Sequence, residues 1–202
     1  MNNEIAAIGS KPSGCTGNIA GRIMNRIHSS SYKKIINNII MRYFPDENKK
    51  SVLDIGCGGG ISVKLFSDIK EINEVVGIDY SEGMVKLSKA FNKKYINSGK
   101  VSILHADVSA LPLENEHFDI ITAFDTINFW ADHKKAISEI IRILKINGVF
   151  FIINAYPKVG TKWHGFIKFK SDREYREFLI RHGLKNIKSE LKKNTIIIWG
   201  WK

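Results

Sequence analysis

The sequence predicts an α/β protein: a doubly wound, mostly parallel sheet with helices on both faces, finished by an antiparallel hairpin. Three observations predict it. Between residues 51 and 154, short β-branched runs alternate with segments of helical periodicity, the pattern of parallel strands covered on both faces. The first run opens into an unusually glycine-rich turn, Gly56-Cys57-Gly58-Gly59-Gly60. Near the end of the chain, two strand-like runs are joined by Lys192-Lys193-Asn194 alone. So short a connection permits only antiparallel pairing.

The elements follow in order. Residues 1–15 have little periodicity and read as a mobile lead. From Thr16 to Phe44, Ile19, Ile23 and Ile27 and then Ile35, Ile36, Ile39 and Ile40 recur at helical spacing. The Ser29-Ser30-Ser31 cluster predicts a break and a new N-cap between two helices. Ser51–Ile55 is a strand, and Ile61–Ile69 has helical spacing. Glu74–Ile78 is the next strand, and Ser81 caps a helix running to about Asn97. Val101–His105 and Phe118–Phe124 are strands three and four. A helix over His133–Lys145, stopped by Asn147-Gly148, precedes a fifth strand at Val149–Ile153. Ser171–His182 is a helix with Gly183 as its C-terminal cap, followed by strands at Lys185–Lys192 and Asn194–Trp201. The expected organisation is one domain over 1–202: a lead at 1–15, N-terminal helices at 16–50, a core at 51–154, and a loop, helix and hairpin at 155–202.

Composition narrows the classes. With 202 residues, 44% hydrophobic and 25% charged, the chain resembles an ordinary globular domain. No apolar run approaches the roughly 20 residues of a membrane span, and no secretory leader is legible at the N-terminus, so a cytoplasmic location is expected. Cys15 and Cys57 are too few for a metal cluster, and no metal is expected. The net charge of +11 is uneven: +5 over residues 1–50, −2 over 51–157 and +8 over 158–202. Lysine-rich solvated faces explain this best; an anionic substrate or nucleic acid at the two ends is the sharper alternative.

In an open α/β sheet, ligands sit beyond the carboxyl ends of the strands. There Gly56, Gly58 and Gly60 permit positive φ and close approach of backbone to ligand. A dinucleotide loop would need a further glycine where Ile61 stands, which places a nicotinamide oxidoreductase last among the readings. Asp79 ends the second strand, 19 residues after Gly60, and its two oxygens can accept both hydroxyls of a ribose. Asp107 ends the third strand, where a carboxylate can accept from the exocyclic amine of adenine. Asp54, beside the glycines, can face the ammonium of an amino acid moiety, and Met84 can cover an adenine face. Cys57 has no neighbouring His or Lys in sequence to activate it and counts as a backbone contact.

The segments VLDIGCGGG, VVGIDYSEGMV, HADVSALPLENEHFDIITAFDTINFW and ILKINGVFFI resemble the successive motifs of class I S-adenosylmethionine-dependent methyltransferases, nearest to the group with ubiquinone and menaquinone biosynthesis enzymes and many small-molecule enzymes. The resemblance covers about residues 51–154. It implies a Rossmann-like seven-stranded sheet with an antiparallel last strand, and S-adenosyl-L-methionine as cofactor with S-adenosyl-L-homocysteine as product. It also implies that Asp54, Gly56, Cys57 and Gly58 hold the methionine part and Asp79 the ribose. Tyr80 and Met84 would flank the adenine, Asp107 and Val108 would hold its edge, and Phe124 would close the floor beneath the sulfonium.

On the acceptor side, the segment Phe124–Trp130 lacks the proline-containing tetrad frequent in nucleic-acid and amide N-methyltransferases. Asp125 is a candidate to orient a nucleophile, with a turn role as the alternative, and Phe129 and Trp130 are candidates to line an apolar pocket. The segment Ala155–Lys170 is long for a connection and reads as a substrate lid, with Tyr156 and Trp163 as contacts and His164 as the candidate base. Tyr32 and His28 are weaker candidates. The function expected is methyl transfer to a small-molecule acceptor, an anionic one among the candidates, by a monomer or homodimer acting away from membranes. The alternatives are an RNA or protein methyltransferase using the basic ends, and a non-catalytic S-adenosylmethionine-binding protein.

Overall fold

A computed structural model describes residues 14–44 and 48–202, with the side chains of residues 14–20 and of Trp163 outside the description. Residues 1–13 of the expected lead therefore lie outside the described residues, while Gly14 and Cys15 begin a helix. The chain has two compact units, Met1–Asp107 and Val108–Lys202. Its seven strands have the Rossmann-like, mostly parallel arrangement expected, with the last strand antiparallel.

In the first unit, helix α1 (Gly14–Ile35) continues into a π turn at Ile36–Ile40 and a 3-10 turn at Met41–Tyr43. The expected break at Ser29–Ser31 is absent. Ser31 Oγ donates to the His28 carbonyl at 3.0 Å, so one serine of the cluster back-bonds within the helix instead of capping a new one. The second group of isoleucines, Ile35, Ile36, Ile39 and Ile40, is buried as expected, but the first is not: Ile23 is 53% and Ile27 66% exposed, while Asn25 and Tyr32 are buried. Strands β1 (Lys50–Ile55), β2 (Ile72–Asp79) and β3 (Val101–His105) are parallel, with β2 central among the three. Between them run α2 (Ile61–Ser67), α3 (Glu82–Phe91) and the short α4 (Lys93–Asn97). Ser81 caps α3 as predicted, its side chain accepting the Met84 N–H. The helix expected to run to Asn97 is divided at Asn92, whose carboxamide is drawn into the core.

In the second unit, β4 (Phe118–Phe124) and β5 (Leu144–Ala155) are parallel. Between them α5 (His133–Ile143) buries Ala136, Ile137, Ile140 and Ile143, each isoleucine contributing on the order of 1.5–3 kcal/mol of burial. This helix ends two residues earlier than expected. Leu144 already pairs with Phe118, and the register resumes at Ile120 with Val149. The Asn147-Gly148 pair, Asn147 at φ 66°, therefore belongs to an irregularity inside β5 and does not stop the helix. After α6 (Lys162–Phe166) and α7 (Asp172–Arg181), the hairpin β6 (Lys185–Lys192) and β7 (Thr195–Trp201) is antiparallel, and β7 pairs antiparallel with β5. Among the described residues no helix is long and apolar enough to cross a membrane.

One buried polar pair in this unit has a measurable consequence. Asn154 Nδ2 donates to the Tyr175 hydroxyl oxygen at 2.8 Å, and burial, more than any other influence, pushes the Tyr175 phenol up to about 12. A folded pKa above the unfolded value near 10 favours the neutral phenol in the fold. Its stabilisation is complete below pH 10 and is lost as pH rises through about 12, amounting to about 3 kcal/mol. Tyr175→Phe is expected to remove that alkaline loss, and denaturant melts of wild type and variant between pH 9 and 12 check it.

Candidate functional site

The glycine turn is fastened peptide by peptide from separate elements. Gly56, Gly58 and Gly60 have φ of 69°, 52° and 87°, values that L side chains adopt only with strain. The Cys57 N–H donates to the Ile78 carbonyl at 2.9 Å, and the Gly60 N–H returns to the Cys57 carbonyl at 2.9 Å. Asp79, at the end of β2, accepts the Gly58 N–H on Oδ2 and the Ser81 N–H on Oδ1, both at 2.8 Å. Each carboxylate oxygen keeps a second lone pair, so two further donors, such as a pair of vicinal hydroxyls, can be accepted. Burial raises the Asp79 carboxyl above the usual carboxylate range, outweighing the two amide bonds that favour its charge.

Two carboxamides hold the carbonyls of the turn. Asn25 Nδ2 donates to the Gly59 carbonyl at 2.8 Å and Asn92 Nδ2 to the Gly60 carbonyl at 3.0 Å. A Cβ at Gly60 would lie 2.3 Å from Ser88 Oγ and 2.4 Å from Asn92 Nδ2. At Gly58, by contrast, a Cβ would meet nothing within 4 Å. The turn is thus packed tightly on one side and open at Gly58, which is the shape a bound nucleoside requires of backbone that must approach it closely.

Asp54 is 1% exposed and accepts from the Ser62 hydroxyl, so it ties the end of β1 to the first turn of α2. Met84 is buried at 3%, and Tyr80 is 52% exposed. The Tyr80 ring lies 6.3 Å from that of His105, and its carbonyl is 2.9 Å from His105 Nε2, leaving an aromatic surface beside Asp79. Asp107 is half-buried at the close of the unit.

Cys57 is buried and lies 3.8 Å from Ser88 Oγ, to which its thiol donates. Burial first, then the charges of Asp79 and Asp54, push its thiol well above the ordinary value. It is therefore a neutral packing thiol at pH 8. Iodoacetamide at that pH is expected to leave Cys57 unmodified in the native chain and to alkylate it in denaturant, as peptide mass mapping would show.

In the second unit Val108 and Phe124 are buried. Asp125, at φ 54°, donates its N–H to Ile153 O at 2.7 Å, and its carboxylate accepts the Ala155 N–H at 2.6 Å. It ties the carboxyl end of β4 to that of β5 alongside. Phe129 stacks obliquely on Phe166 at 5.4 Å, and Trp130 is buried at 7% beside His133. His133 is kept below its ordinary pKa by burial, and its Nε2 meets the Ile127 carbonyl at 2.9 Å.

The segment after β5 is pinned to itself. Lys170 Nζ donates to the carbonyls of His164, Gly165 and Ile167, capping the end of α6 with a positive charge. The Tyr156 hydroxyl donates to the Lys170 carbonyl at 2.7 Å, and the Lys168 N–H reaches Asn128 Oδ1 at 2.9 Å. His164 is half-buried on α6. Trp163 lies on the same helix, and its side chain falls outside the described residues. In the first unit, Tyr32 is buried at 8% with its ring 5.0 Å from that of His28.

Asn25, Ser62, Ser88 and Asn92 were not legible as site residues. For Ser88 and Asn92 a signal existed: polar residues four apart on the helix face that also carries Met84 and Val85. Asn25 gave none, because the stripe of Ile23 and Ile27 points to the opposite face.

Residues 53–152 match the family described as a methyltransferase domain. The chain is 32% identical over 111 residues to an uncharacterised chloroplastic methyltransferase of Arabidopsis thaliana, covering 54% of this chain and 32% of that protein. It is 29% identical over 127 residues to a demethylmenaquinone methyltransferase of Staphylococcus aureus, covering 62% and 52%. The chain therefore spans about half or less of these curated relatives. A crystal structure from Methanococcus maripaludis, assigned as an S-adenosyl-L-methionine-dependent methyltransferase, superposes with a TM-score of 0.74 at 20% identity, covering 92% of this chain and 93% of that one. The fold and the motifs define a methyltransferase domain. The family match and these relatives support a class I S-adenosylmethionine-dependent methyltransferase with S-adenosyl-L-methionine as its cofactor.

Proposed function

We propose that the protein transfers a methyl group to a small-molecule acceptor of apolar, ring-bearing character. The observation that carries the cofactor side is Asp79, a buried carboxylate fixed by two backbone amides beside a turn that is open at Gly58. The likeness to a demethylmenaquinone methyltransferase and the aromatic character of Phe129, Trp130, Tyr156 and Trp163 support the acceptor side.

When bound, S-adenosyl-L-methionine supplies a methyl group already activated for in-line displacement. Asp79 would accept the two ribose hydroxyls, Asp107 with Val108 would hold the adenine edge, and Tyr80 and Met84 would flank the ring. Gly56, Cys57 and Gly58 present backbone to the methionine part, and Asp54 fixes that backbone through Ser62. Orientation of this kind can supply roughly 7–11 kcal/mol of barrier lowering, so a general base is needed only if the acceptor must lose a proton. His164 is the assigned base where one is required; Asp125 is the second candidate.

A panel of hydroxylated apolar aromatics, with a demethylated quinol among them, tests the proposal. Methylated product from at least one member is expected. No product from any of them, with S-adenosylhomocysteine binding intact, would remove the small-molecule reading.

A further inference from the structure

We infer that Asn25 is a positioning residue for the cofactor: its carboxamide sets the glycine turn from outside the strand and helix that form it. The inference rests on the cofactor reading above and deepens it.

The peptide between Gly59 and Gly60 is fixed at both ends. Its N–H donates to Cys57 O at 2.9 Å, and its carbonyl accepts Asn25 Nδ2 at 2.8 Å. Asn25 is 7% exposed and lies 34 residues from its partner in sequence. A buried amide donor leaves such a carbonyl only at a cost, so the bond selects one orientation of that peptide. The other fasteners of the turn, Asp79 and Asn92, come from β2 and the end of α3, next to each other in sequence. Asn25 alone among the three comes from α1, which precedes the matched methyltransferase segment at 53–152.

The glycines record the same contact from the other side. A Cβ at Gly59 would lie 2.6–2.9 Å from three atoms of the Asn25 carboxamide. One turn earlier on α1, a Cβ at Gly21 would lie 2.5 Å from Leu87 Cδ2 and 3.2 Å from Met84 Sδ. Helix α1 therefore touches the cradle at two places, the glycine turn through Asn25 and the adenine-side Met84 through Gly21. Both contacts need a small or flat residue where a helix would ordinarily place a bulky apolar one. That is the physical reason why Ile23 and Ile27 do not lie on the buried face of α1. Orientation of the turn, and through it the affinity for the cofactor, is thereby coupled to the docking of α1.

A double-mutant cycle on full-length protein tests this, with S-adenosylhomocysteine affinity by calorimetry as the readout. Asn25→Ala is expected to weaken binding about tenfold, and Gly59→Ala, whose methyl would push the carboxamide off its carbonyl, by a similar factor. Combined, the two are expected to weaken binding no further than Asn25→Ala alone, because the truncated side chain leaves room for the new methyl. Ligand-induced hydrogen-exchange protection across α1 should appear in wild type and be lost in both single variants. Losses that multiply, or single variants with wild-type affinity and protection, would overturn the assignment. If Asn25→Ala fails to fold, Asn25→Asp, isosteric but unable to donate to the carbonyl, is measured as a single variant, with the same tenfold loss of affinity and the same loss of protection across α1 expected and wild-type values overturning the assignment. Wild-type protein that does not bind S-adenosylhomocysteine at all would instead strike the cofactor reading on which the inference stands.

Discussion

Asp79→Ala is expected to lower the affinity for S-adenosylhomocysteine by 100-fold or more while leaving the chain folded. The reason is arithmetic as well as geometric. Each hydrogen bond to a charged acceptor contributes on the order of 1.5–3 kcal/mol, and two ribose hydroxyls on one carboxylate give about 3–6 kcal/mol, of which each 1.4 kcal/mol is tenfold. The variant also releases the Gly58 and Ser81 amides that Asp79 now holds, so the turn loses a fastener with its ligand contact. The pH dependence has a definite sign. Binding requires the carboxylate, and burial raises the Asp79 pKa in the free chain. Affinity should be flat at neutral pH, then fall about tenfold per unit below that raised pKa, beginning at a higher pH than for an ordinary aspartate. The contribution to fold stability runs the other way. Because the folded chain holds this proton more tightly than the unfolded chain, acidification through the raised pKa relieves a cost of burial. Calorimetric titrations from pH 7.5 down to 4.5, paired with thermal melts, separate the two trends. An unchanged affinity in Asp79→Ala would mean that the ribose contact is misplaced.

The second large effect separates folding from binding within one turn. Gly60→Ala must strain a backbone at φ 87° and displace both Ser88 and the Asn92 carboxamide. A left-handed alanine costs roughly 1–2 kcal/mol, and a buried carbonyl and amide left unpaired roughly 1–3 kcal/mol. A loss of about 3–4 kcal/mol corresponds to a fall in Tm of about 10 °C for a chain of this size. Gly58→Ala adds its methyl to open space at a φ of 52°, so the fold should lose about 1 kcal/mol and only a few degrees. Cofactor binding should nevertheless be strongly impaired, since the methyl occupies the space the turn leaves for its ligand. Equal losses of stability in the two variants would contradict this division of labour.

What could be read from the sequence was what local chemistry dictates. The glycine turn, the Ser81 cap, the strand end at Asp79, and the antiparallel hairpin each follow from residue types acting over a few positions; β3 itself ends at His105, two residues before Asp107. The misreadings came where tertiary contact overrides a local cue. Ile23 and Ile27 predicted the buried face of α1, yet close approach to Gly59, Met84 and Leu87 excludes bulky branched side chains and selects Gly21 and Asn25. Ser31 signalled a cap and instead back-bonded to His28. Asn147 signalled a helix stop and instead lies inside β5. The acceptor side was least legible because aromatic residues on a long segment have the same composition whether they pack or bind. Lys170 makes the point: a surface lysine by sequence, it gathers the carbonyls that end α6.

The central claim, methyl transfer from S-adenosyl-L-methionine to a small molecule, is tested most directly by incubating the purified chain with methyl-labelled cofactor and a whole-cell extract, then separating products by size. Label is expected in the low-molecular-mass fraction, at a level little changed by salt and abolished by Asp79→Ala. Label confined to RNA or protein, falling steeply with ionic strength, or no enzyme-dependent transfer at all, would contradict it.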